Sequence, residues 1–347
     1  MKGLFVRLPN WLGDAVMASP ALELILRAFP HRFCCIVGPS GICDLFAGFS
    51  GVGRVDLRNR GLSRVIEAAC AYRQMKARSV VLFTNSFASA LESFLGGAEE
   101  RLGLTTDGRR ILLSNPIPAP PKNFLHEQDV FTLIAGEAVV RWEGSLRALG
   151  ETRPYPGLDV SVEEWERVTR KLNLSAKRGH YAVIHPGAAY GTAKRWPASG
   201  FSAIARRFVE ELGWYVYVAG SPAEFSICDE VLRMSGRAGV VNLAGKTTIR
   251  EMLALQAGAG FVVANDSGAA HTAAALGVPV IVIFGPTDPE RTAPKNPNAV
   301  ALKGDAPCSP CKHRSCPTDH RCMTSIKTDR VWSEIVGLLE NRRKHLT

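Results

Sequence analysis

Short apolar segments that recur along the 347-residue chain, with helical stretches between them, constrain its fold more than any other feature. Several are rich in β-branched or aromatic residues and apolar throughout, as strands are when helices cover both faces of a sheet. They span residues 3–8, 32–38, 79–84, 181–185, 215–219, 261–264 and 278–284. The alternation predicts an α/β fold of βαβ units, with a parallel sheet in each half of the chain.

A proline-rich stretch separates the two groups of strands. Residues 115–121 read Asn-Pro-Ile-Pro-Ala-Pro-Pro, and proline at that density cannot continue a helix or an inner strand. A helical region is predicted at residues 124–149 and a short charged helix at residues 162–172. We assign residues 1–172 to a first Rossmann-like domain and residues 173–347 to a second, whose last helix could pack back on the first.

The charge balance favours an anionic partner. Lysine and arginine exceed aspartate and glutamate, which gives a formal net charge of +10. Such an excess attracts phosphates, nucleic acid or an acidic membrane surface. Residues 54–78 are especially basic, and both a solvated helix face and a docking surface for an anionic acceptor remain open there.

Neither a membrane span nor a signal peptide is visible. No apolar run reaches the roughly 18 residues that a membrane helix needs, and the first strand is too short for a signal-peptide core. The nine cysteines are an odd number, and without a secretory signal they indicate free thiols in a reducing compartment. We therefore expect a soluble, unprocessed, cytoplasmic protein.

The turn after the first strand reads Pro-Asn-Trp-Leu-Gly-Asp at residues 9–14 and leads into a helical pattern at residues 15–29. Gly13 permits close backbone approach, and the amides of a helix N-terminus favour an anion. The turn lacks the GxGxxG spacing of dinucleotide sites. Asp14 is either a helix cap or a catalytic carboxylate, and the spacing leaves both interpretations open.

Two features of the second half suit a nucleotide diphosphate. Residues 185–197 form a glycine-bearing loop after a strand, and Thr192, Lys194 and the backbone amides can share the charge of two phosphates. The loop is not a Walker motif. Glu224 follows the strand at residues 215–219, where an acidic side chain can accept hydrogen bonds from ribose hydroxyls. A solvated glutamate at a helix start is the plainer alternative.

A second strand-turn-helix junction reads Asn-Asp-Ser-Gly-Ala-Ala-His at residues 265–271. Ser267 and Gly268 can offer amides to a diphosphate, while Asp266 can hold sugar hydroxyls. His271 falls one turn into the helix, where a packing role is the simpler interpretation. The following Gly-Pro-Thr-Asp-Pro loop, residues 285–289, could close the same site.

Four cysteines near the C-terminus lie close to His313 and His320; they are Cys308, Cys311, Cys316 and Cys322. Their spacing could ligate zinc tetrahedrally. A structural metal cluster, a disulfide and free thiols all remain open, and we expect no catalytic metal and no cofactor.

Five of these motifs together resemble glycosyltransferase family 9, the bacterial lipopolysaccharide heptosyltransferases. The five motifs are the Asn-Trp-Leu-Gly-Asp turn, the His-Pro-Gly loop that ends in Lys-Arg-Trp-Pro, the Asn-Asp-Ser-Gly turn, the Gly-Pro-Thr-Asp-Pro loop and the segment with the terminal cysteines. The resemblance covers nearly the whole chain and is strongest after residue 180. It implies a GT-B fold in which two Rossmann-like domains face a central cleft. The first domain would bind the acceptor and the second would bind ADP-L-glycero-D-manno-heptose.

The resemblance also implies roles for residues. Asp14 would be the general base, Lys194 with Thr192 would bind donor phosphate, and Glu224 would bind ribose. The rest of the implied donor site is Thr247 near the adenine, Asp266, Ser267, Gly268 and His271. On the acceptor side, an alanine follows the Asn-Ser-Phe of residues 85–87, where relatives often have a base. The acceptor candidates are therefore Asn85, Ser86, Arg54, Arg58, Arg60, Arg64 and Arg101.

The activity that this resemblance implies is inverting heptose transfer to the lipopolysaccharide inner core, with lipid A–Kdo–heptose as acceptor. The enzyme would work at the cytoplasmic face of the inner membrane. Two alternatives are a GT-B transferase or epimerase for another nucleotide sugar, and a non-catalytic nucleotide-binding or nucleic-acid-binding protein. Nucleic acid is not expected as a partner, because tyrosine and tryptophan, six of each, are scattered.

Overall fold

The computed structural model describes residues 3–121, 124–150 and 155–344, and it divides into two compact units, Met1–Asp159 and Val160–Thr347. Each unit is built on one six-stranded sheet with helices packed on it. All neighbouring strands are parallel. The predicted α/β class with two Rossmann-like halves is therefore confirmed.

The first unit has strand order β3-β2-β1-β4-β5-β6. Its strands are β1 (Gly3–Arg7), β2 (Cys34–Pro39), β3 (Val52–Leu57), β4 (Ala77–Leu82), β5 (Glu100–Leu104) and β6 (Asn115–Ile117). Its α-helices are α1 (Leu12–Met17), α2 (Ser19–Ala28), α3 (Ser40–Cys43), α4 (Gly61–Gln74), α5 (Phe87–Leu95) and α6 (Glu127–Arg141). Successive strands are placed on one side of β1 as far as β3 and on its other side from β4 onward, so the switch point of this sheet lies between β1 and β4, at their carboxyl ends.

The second unit has strand order β12-β11-β10-β7-β8-β9, and its switch point lies between β7 and β10. Its strands are β7 (Tyr181–His185), β8 (Tyr215–Val218), β9 (Val240–Asn242), β10 (Phe261–Asn265), β11 (Val280–Phe284) and β12 (Ala299–Lys303). Its α-helices are α7 (Val162–Lys171), α8 (Ala198–Leu212), α9 (Phe225–Ser235), α10 (Ile249–Ala257), α11 (Gly268–Ala275), α12 (Pro289–Thr292), α13 (Arg321–Thr324) and α14 (Thr328–Lys344).

Both faces of the second sheet are buried, which explains its continuous apolar strands. Alternate residues of β7 enter different cores: Val183 belongs to one hydrophobic cluster and Ile184 to the other. The last helix, α14, packs on α8 and supplies Trp332 and Ile335 to the same cluster as Ile184. This alternation is expected of a strand covered by helices on both sides.

The two units divide between Asp159 and Val160, before the expected border at residue 172. Helix α7 accounts for the difference, because it packs on the second unit. Val168 lies in that unit's core, and Glu164 pairs with Arg250 at 2.7 Å.

Several elements differ from the sequence prediction. The single helix expected at residues 15–29 is two helices, and Pro20 stands in the first turn of the second, where proline is tolerated. The helix expected at residues 124–149 is shorter, since α6 ends at Arg141. Strand β6 contains Pro116, which an edge strand accommodates. Among the described residues, no helix is both long and apolar enough to span a membrane.

Candidate active site

The opening turn places Asp14 at the carboxyl end of β1. Helix α1 begins at Leu12, and its N-cap position is Trp11, which makes no side-chain capping bond. Asp14 is the third residue of this helix and is partly buried. The alternative in which Asp14 is the N-cap is therefore wrong, although a carboxylate in the first turn still interacts favourably with the helix dipole.

A fully buried ion pair lies beneath this turn. Arg7, the last residue of β1, donates from Nε to Glu92 of α5 at 2.7 Å, and both side chains are 0% exposed. The same guanidinium donates to the Leu8 carbonyl at 2.8 Å and to Asn10 Oδ1 at 3.2 Å. Arg7 therefore connects α5 to the first residues of the opening turn.

Asn85 and Ser86 follow β4, the other strand of the switch point. Ser86 is the N-cap of α5 and accepts from the amide of Ser89. Beneath them, buried Arg109 donates to the carbonyl of Thr84 at 2.5 Å. Burial lowers the pKa of Arg109 to about 10. These bonds fix the backbone that presents Asn85, which is itself exposed.

The five candidate acceptor arginines divide into three groups. Arg58 and Arg60 follow the carboxyl end of β3 and are exposed. Arg101 instead lies near the amino end of β5, where it donates to the carbonyls of Ala98 and Leu112. The structure does not bring Arg101 to the edge of the sheet that carries Asn85, so its expected place in the acceptor site is not supported by its contacts. Two other candidates are in ion pairs: Arg54 with Asp44 and Asp56, and Arg64 with Glu92.

In the second unit, the loop of residues 185–197, called the HPG loop below, is held against the turn that follows β10. Asn265, the last residue of β10, is fully buried. Its Nδ2 donates to the carbonyl of Pro186 at 2.8 Å, and its Oδ1 accepts from the amide of Trp196 at 2.9 Å. Both ends of the HPG loop are therefore attached to one side chain at the switch point.

Lys194 and Asp266, predicted to bind different parts of a ligand, contact each other here. Lys194 Nζ lies 2.5 Å from Asp266 Oδ2, which also accepts from Thr287 Oγ1 at 2.6 Å. The lysine ammonium lies 4.9 Å from the centroid of the Tyr190 ring. The two side chains are 13% and 5% exposed, so the pair is largely removed from bulk water.

Helix α11 begins directly after Asp266, with Ser267 as its N-cap. The Ser267 side chain makes no capping bond, and its Oγ is buried without a hydrogen-bond partner within the described chain. An unused hydroxyl beside free helix amides is suited to a bound anion. His271 lies one turn further along the helix and is 4% exposed.

Glu224 lies against the HPG loop. A Cβ on Gly187 would be 1.9 Å from Glu224 Oε1, so only glycine permits this approach. The other carboxylate oxygen accepts from the amide and hydroxyl of Ser221, both at 2.8 Å. Thr247 belongs to the loop after β9, which is joined to the Glu224 loop by a bond from the Gly245 amide to the Gly220 carbonyl. Thr192, in the HPG loop, is exposed.

His185 and Gln256 support this arrangement from below. Burial lowers the pKa of His185 to about 4, so the ring is neutral. Gln256, fully buried, lies 3.0 Å from His185 Nε2 and donates to the Ala269 carbonyl at 2.9 Å. The HPG loop and α11 are thus joined through a neutral network.

The four terminal cysteines line one cavity of about 100 Å³ together with His313 and His320. All nine cysteines of the chain are free thiols, so the disulfide alternative is wrong. Within the described ranges, no group of histidine, cysteine and acidic side chains is arranged to hold a metal ion. Burial raises the pKa of Cys322 to about 11, whereas a hydrogen bond with Thr318 lowers that of Cys316.

Sequence reasoning missed several residues that hold the site together. Arg7 and Glu92 are charges within otherwise apolar segments, and Asn265 and Gln256 are amides that are fully buried. Buried polar groups need hydrogen-bond partners, so a polar residue inside an apolar run is the signal that could have indicated them.

Fold and site together define the class of protein. The chain has two Rossmann-like units, and a cation, a carboxylate and a helix N-terminus lie together at the switch point of the second unit. This is the arrangement of a GT-B glycosyltransferase. The model of glycosyltransferase family 9 (heptosyltransferase) matches residues 70–321, more than half of the chain. The chain belongs to this family.

Similar proteins cover nearly the whole length. Lipooligosaccharide heptosyltransferase 2 of Campylobacter jejuni is 29% identical over 97% of this chain and 98% of its own length. The structure of E. coli ADP-heptose LPS heptosyltransferase II, 24% identical, has a TM-score of 0.83 over 99% of this chain and 100% of its own. E. coli heptosyltransferase WaaC with ADP has a TM-score of 0.70 at 19% identity, over 97% and 100% of the two chains. The structural matches extend to both units.

Proposed function

We propose that the chain is an inverting heptosyltransferase that moves L-glycero-D-manno-heptose from ADP-heptose to the lipopolysaccharide inner core, where it adds the second heptose to heptose I. The cluster at the switch point of the second unit carries this proposal. There Lys194, Ser267 and Glu224 supply a cation, a helix N-terminus and a carboxylate for a nucleoside diphosphate sugar. Membership of family 9 and similarity to a heptosyltransferase 2 support the sugar and the acceptor.

On the donor side, each group has a proposed role. The diphosphate binds Lys194 and the amides of Ser267 and Gly268, which releases Asp266 to accept from heptose hydroxyls. Glu224 accepts from the ribose. The remaining donor-binding residues of the proposal are Thr192, Thr247 and His271. These charges and the helix dipole can stabilise the leaving diphosphate without a metal ion.

Asp14 is the proposed base. The acceptor hydroxyl attacks the anomeric carbon on the face opposite the leaving ADP, which inverts that centre, and Asp14 takes the hydroxyl proton. Asn85, Ser86, Arg58 and Arg60 are proposed to bind the acceptor, because all four follow carboxyl ends of strands in the first sheet, as Asp14 does.

The test of the base is Asp14→Asn, which keeps the shape of the side chain and removes its basicity. We expect kcat for transfer from ADP-heptose to fall by about 10²- to 10⁴-fold, the usual contribution of a general base. ADP affinity, measured by calorimetry, should be unchanged, because the donor residues lie in the other unit. Near-normal kcat in a folded variant would show that Asp14 is not the base.

The test of the sugar is a donor panel. ADP-heptose should be turned over with a higher kcat/KM than ADP-glucose or UDP-sugars, on a lipid A–Kdo–heptose acceptor. Preference for a UDP-sugar would replace the heptose assignment with transfer of another nucleotide sugar.

We also propose that the enzyme binds peripherally to the cytoplasmic face of the inner membrane. The supporting observation is a set of exposed side chains of the first unit, called the membrane face below: Leu62 and Ile66 of α4, Phe87 of α5, and Arg58 and Arg60. Leu62 is 72% exposed and Ile66 is 56% exposed. The two helices pack against each other on one face of the sheet. Exposed apolar side chains beside arginines fit an anionic lipid surface.

A further inference from the structure

The segment that contains the terminal cysteines, residues 308–322, lies directly against the HPG loop. The Ala193 amide donates to the carbonyl of Arg314 at 3.0 Å, and His320 Nε2 lies 2.7 Å from the Ala193 carbonyl. The Tyr190 hydroxyl donates to the carbonyl of Lys312 at 2.7 Å. Three contacts therefore join this cysteine segment to the loop that carries Lys194.

The approach of the two backbones requires a glycine. A Cβ on Gly191 would lie 2.1 Å from the Arg314 carbonyl oxygen. The atoms it would meet all belong to the Arg314 backbone, so the clash could not be relieved by moving a flexible side chain. The position of Arg314 relative to the HPG loop is thus set by main-chain packing rather than by a mobile side chain.

Two cations share one aromatic ring at this junction. Lys194 Nζ is 4.9 Å from the Tyr190 centroid, and Arg314 Cζ is 5.4 Å from the same centroid. Lys194 is paired with Asp266. Arg314 is exposed, and its guanidinium forms no ion pair with any described carboxylate. Arg314 therefore adds a second cation beside the ring that Lys194 contacts, and this charge can bind a dianion such as a diphosphate.

We propose that Arg314 is a second diphosphate-binding residue of the donor site, and that the cysteine segment serves to hold it there. The ligand is the diphosphate of a nucleoside diphosphate sugar, so the inference rests on the proposed function. A guanidinium can bind two phosphate oxygens in parallel, which a lysine cannot do. Tyr190 orients both cations through its ring.

The test compares Arg314→Ala with Arg206→Ala, an equal loss of charge at an exposed position of α8 in the same unit. Both variants and the wild type are titrated with ADP by calorimetry and with adenosine by ligand-observed NMR. Arg314→Ala should weaken ADP binding about tenfold, as expected when a charge-assisted hydrogen bond is lost. Adenosine binding should be unchanged, and Arg206→Ala should bind both ligands as the wild type does.

Two further variants distinguish the effect of the Arg314 charge from the effect of attaching the cysteine segment to the HPG loop. Arg314→Lys keeps the charge and should lose less ADP affinity than Arg314→Ala. Gly191→Ala should also weaken ADP binding, because the added methyl group displaces the Arg314 backbone. If Arg314→Ala binds ADP as tightly as the wild type, the inference is wrong while the proposed function stands. If the wild type does not bind ADP at all, the proposed function itself fails.

Discussion

At the scale of single residues, His185 links the donor site to stability. Its ring is buried, and burial lowers its pKa from 6.5 to about 4. Above pH 6.5 the side chain is neutral in both the folded and the unfolded chain. Between pH 6.5 and 4 the unfolded chain binds the proton and the folded chain does not, so stability falls as the pH falls through this window.

We predict that His185→Gln flattens this dependence. The glutamine can accept the hydrogen bond from Gln256 but does not titrate. The wild type should lose up to about 1.4 kcal/mol of unfolding free energy per pH unit below pH 6.5 through this group. Urea unfolding at pH 7 and pH 5 measures the difference. His180→Gln, at an exposed position, is the control and should keep the wild-type slope. An unchanged slope in His185→Gln would show that another group is responsible.

At the scale of elements, the Arg7–Glu92 pair joins β1 to α5 and supports the opening turn. We predict that Glu92→Gln destabilises the protein by about 3–5 kcal/mol, because it leaves a buried guanidinium without its counter-charge. Glu99→Gln breaks the solvent-exposed pair with Arg78 and should cost less than about 1 kcal/mol. Urea midpoints of the two variants test this contrast. Equal, small losses would mean that Arg7 finds another partner.

Whether a strand could be predicted from the sequence depends on how completely its side chains are buried. The strand Tyr181–His185 was predicted to the residue, because it is a fully buried apolar run. The predictions missed five strands: β3, β5, β6, β9 and β12. All of them except β5 lie at the edge of a sheet, and in β3 the charged Arg54 and Asp56 interrupt the apolar pattern. An edge strand is exposed on one side and therefore carries charges that obscure its periodicity.

The same distinction applies to the candidate site. The turns that carry Asp14 and Ser267 could be located because polar residues follow apolar strands, and parallel strands gather their carboxyl ends at one edge. The direction of Arg101 and the attachment of Arg314 to the HPG loop could not be predicted. Arg101 lies near the amino end of β5, a strand that the sequence did not indicate. The attachment of Arg314 depends on a contact with Ala193, which is distant in sequence and therefore not encoded by local spacing.

At the scale of the whole molecule, the net charge of +10 promotes membrane binding only where basic side chains lie together on one surface. On the membrane face, Arg58 and Arg60 stand beside the exposed Leu62 and Ile66. Each base near an anionic bilayer contributes about 1 kcal/mol, and apolar side chains add further free energy when they enter the interface. Neither contribution alone would hold the protein firmly.

We therefore predict that the double substitution Leu62→Ser and Ile66→Ser weakens binding to phosphatidylglycerol vesicles by at least about tenfold, since two large apolar side chains no longer enter the lipid. Val140→Ser changes an apolar residue of α6 that is 61% exposed, and should bind as the wild type does. Co-sedimentation over a salt series measures both. Because Arg58 and Arg60 remain, residual binding of the double variant should vanish at high salt. Equal binding of both variants would place the lipid contact elsewhere.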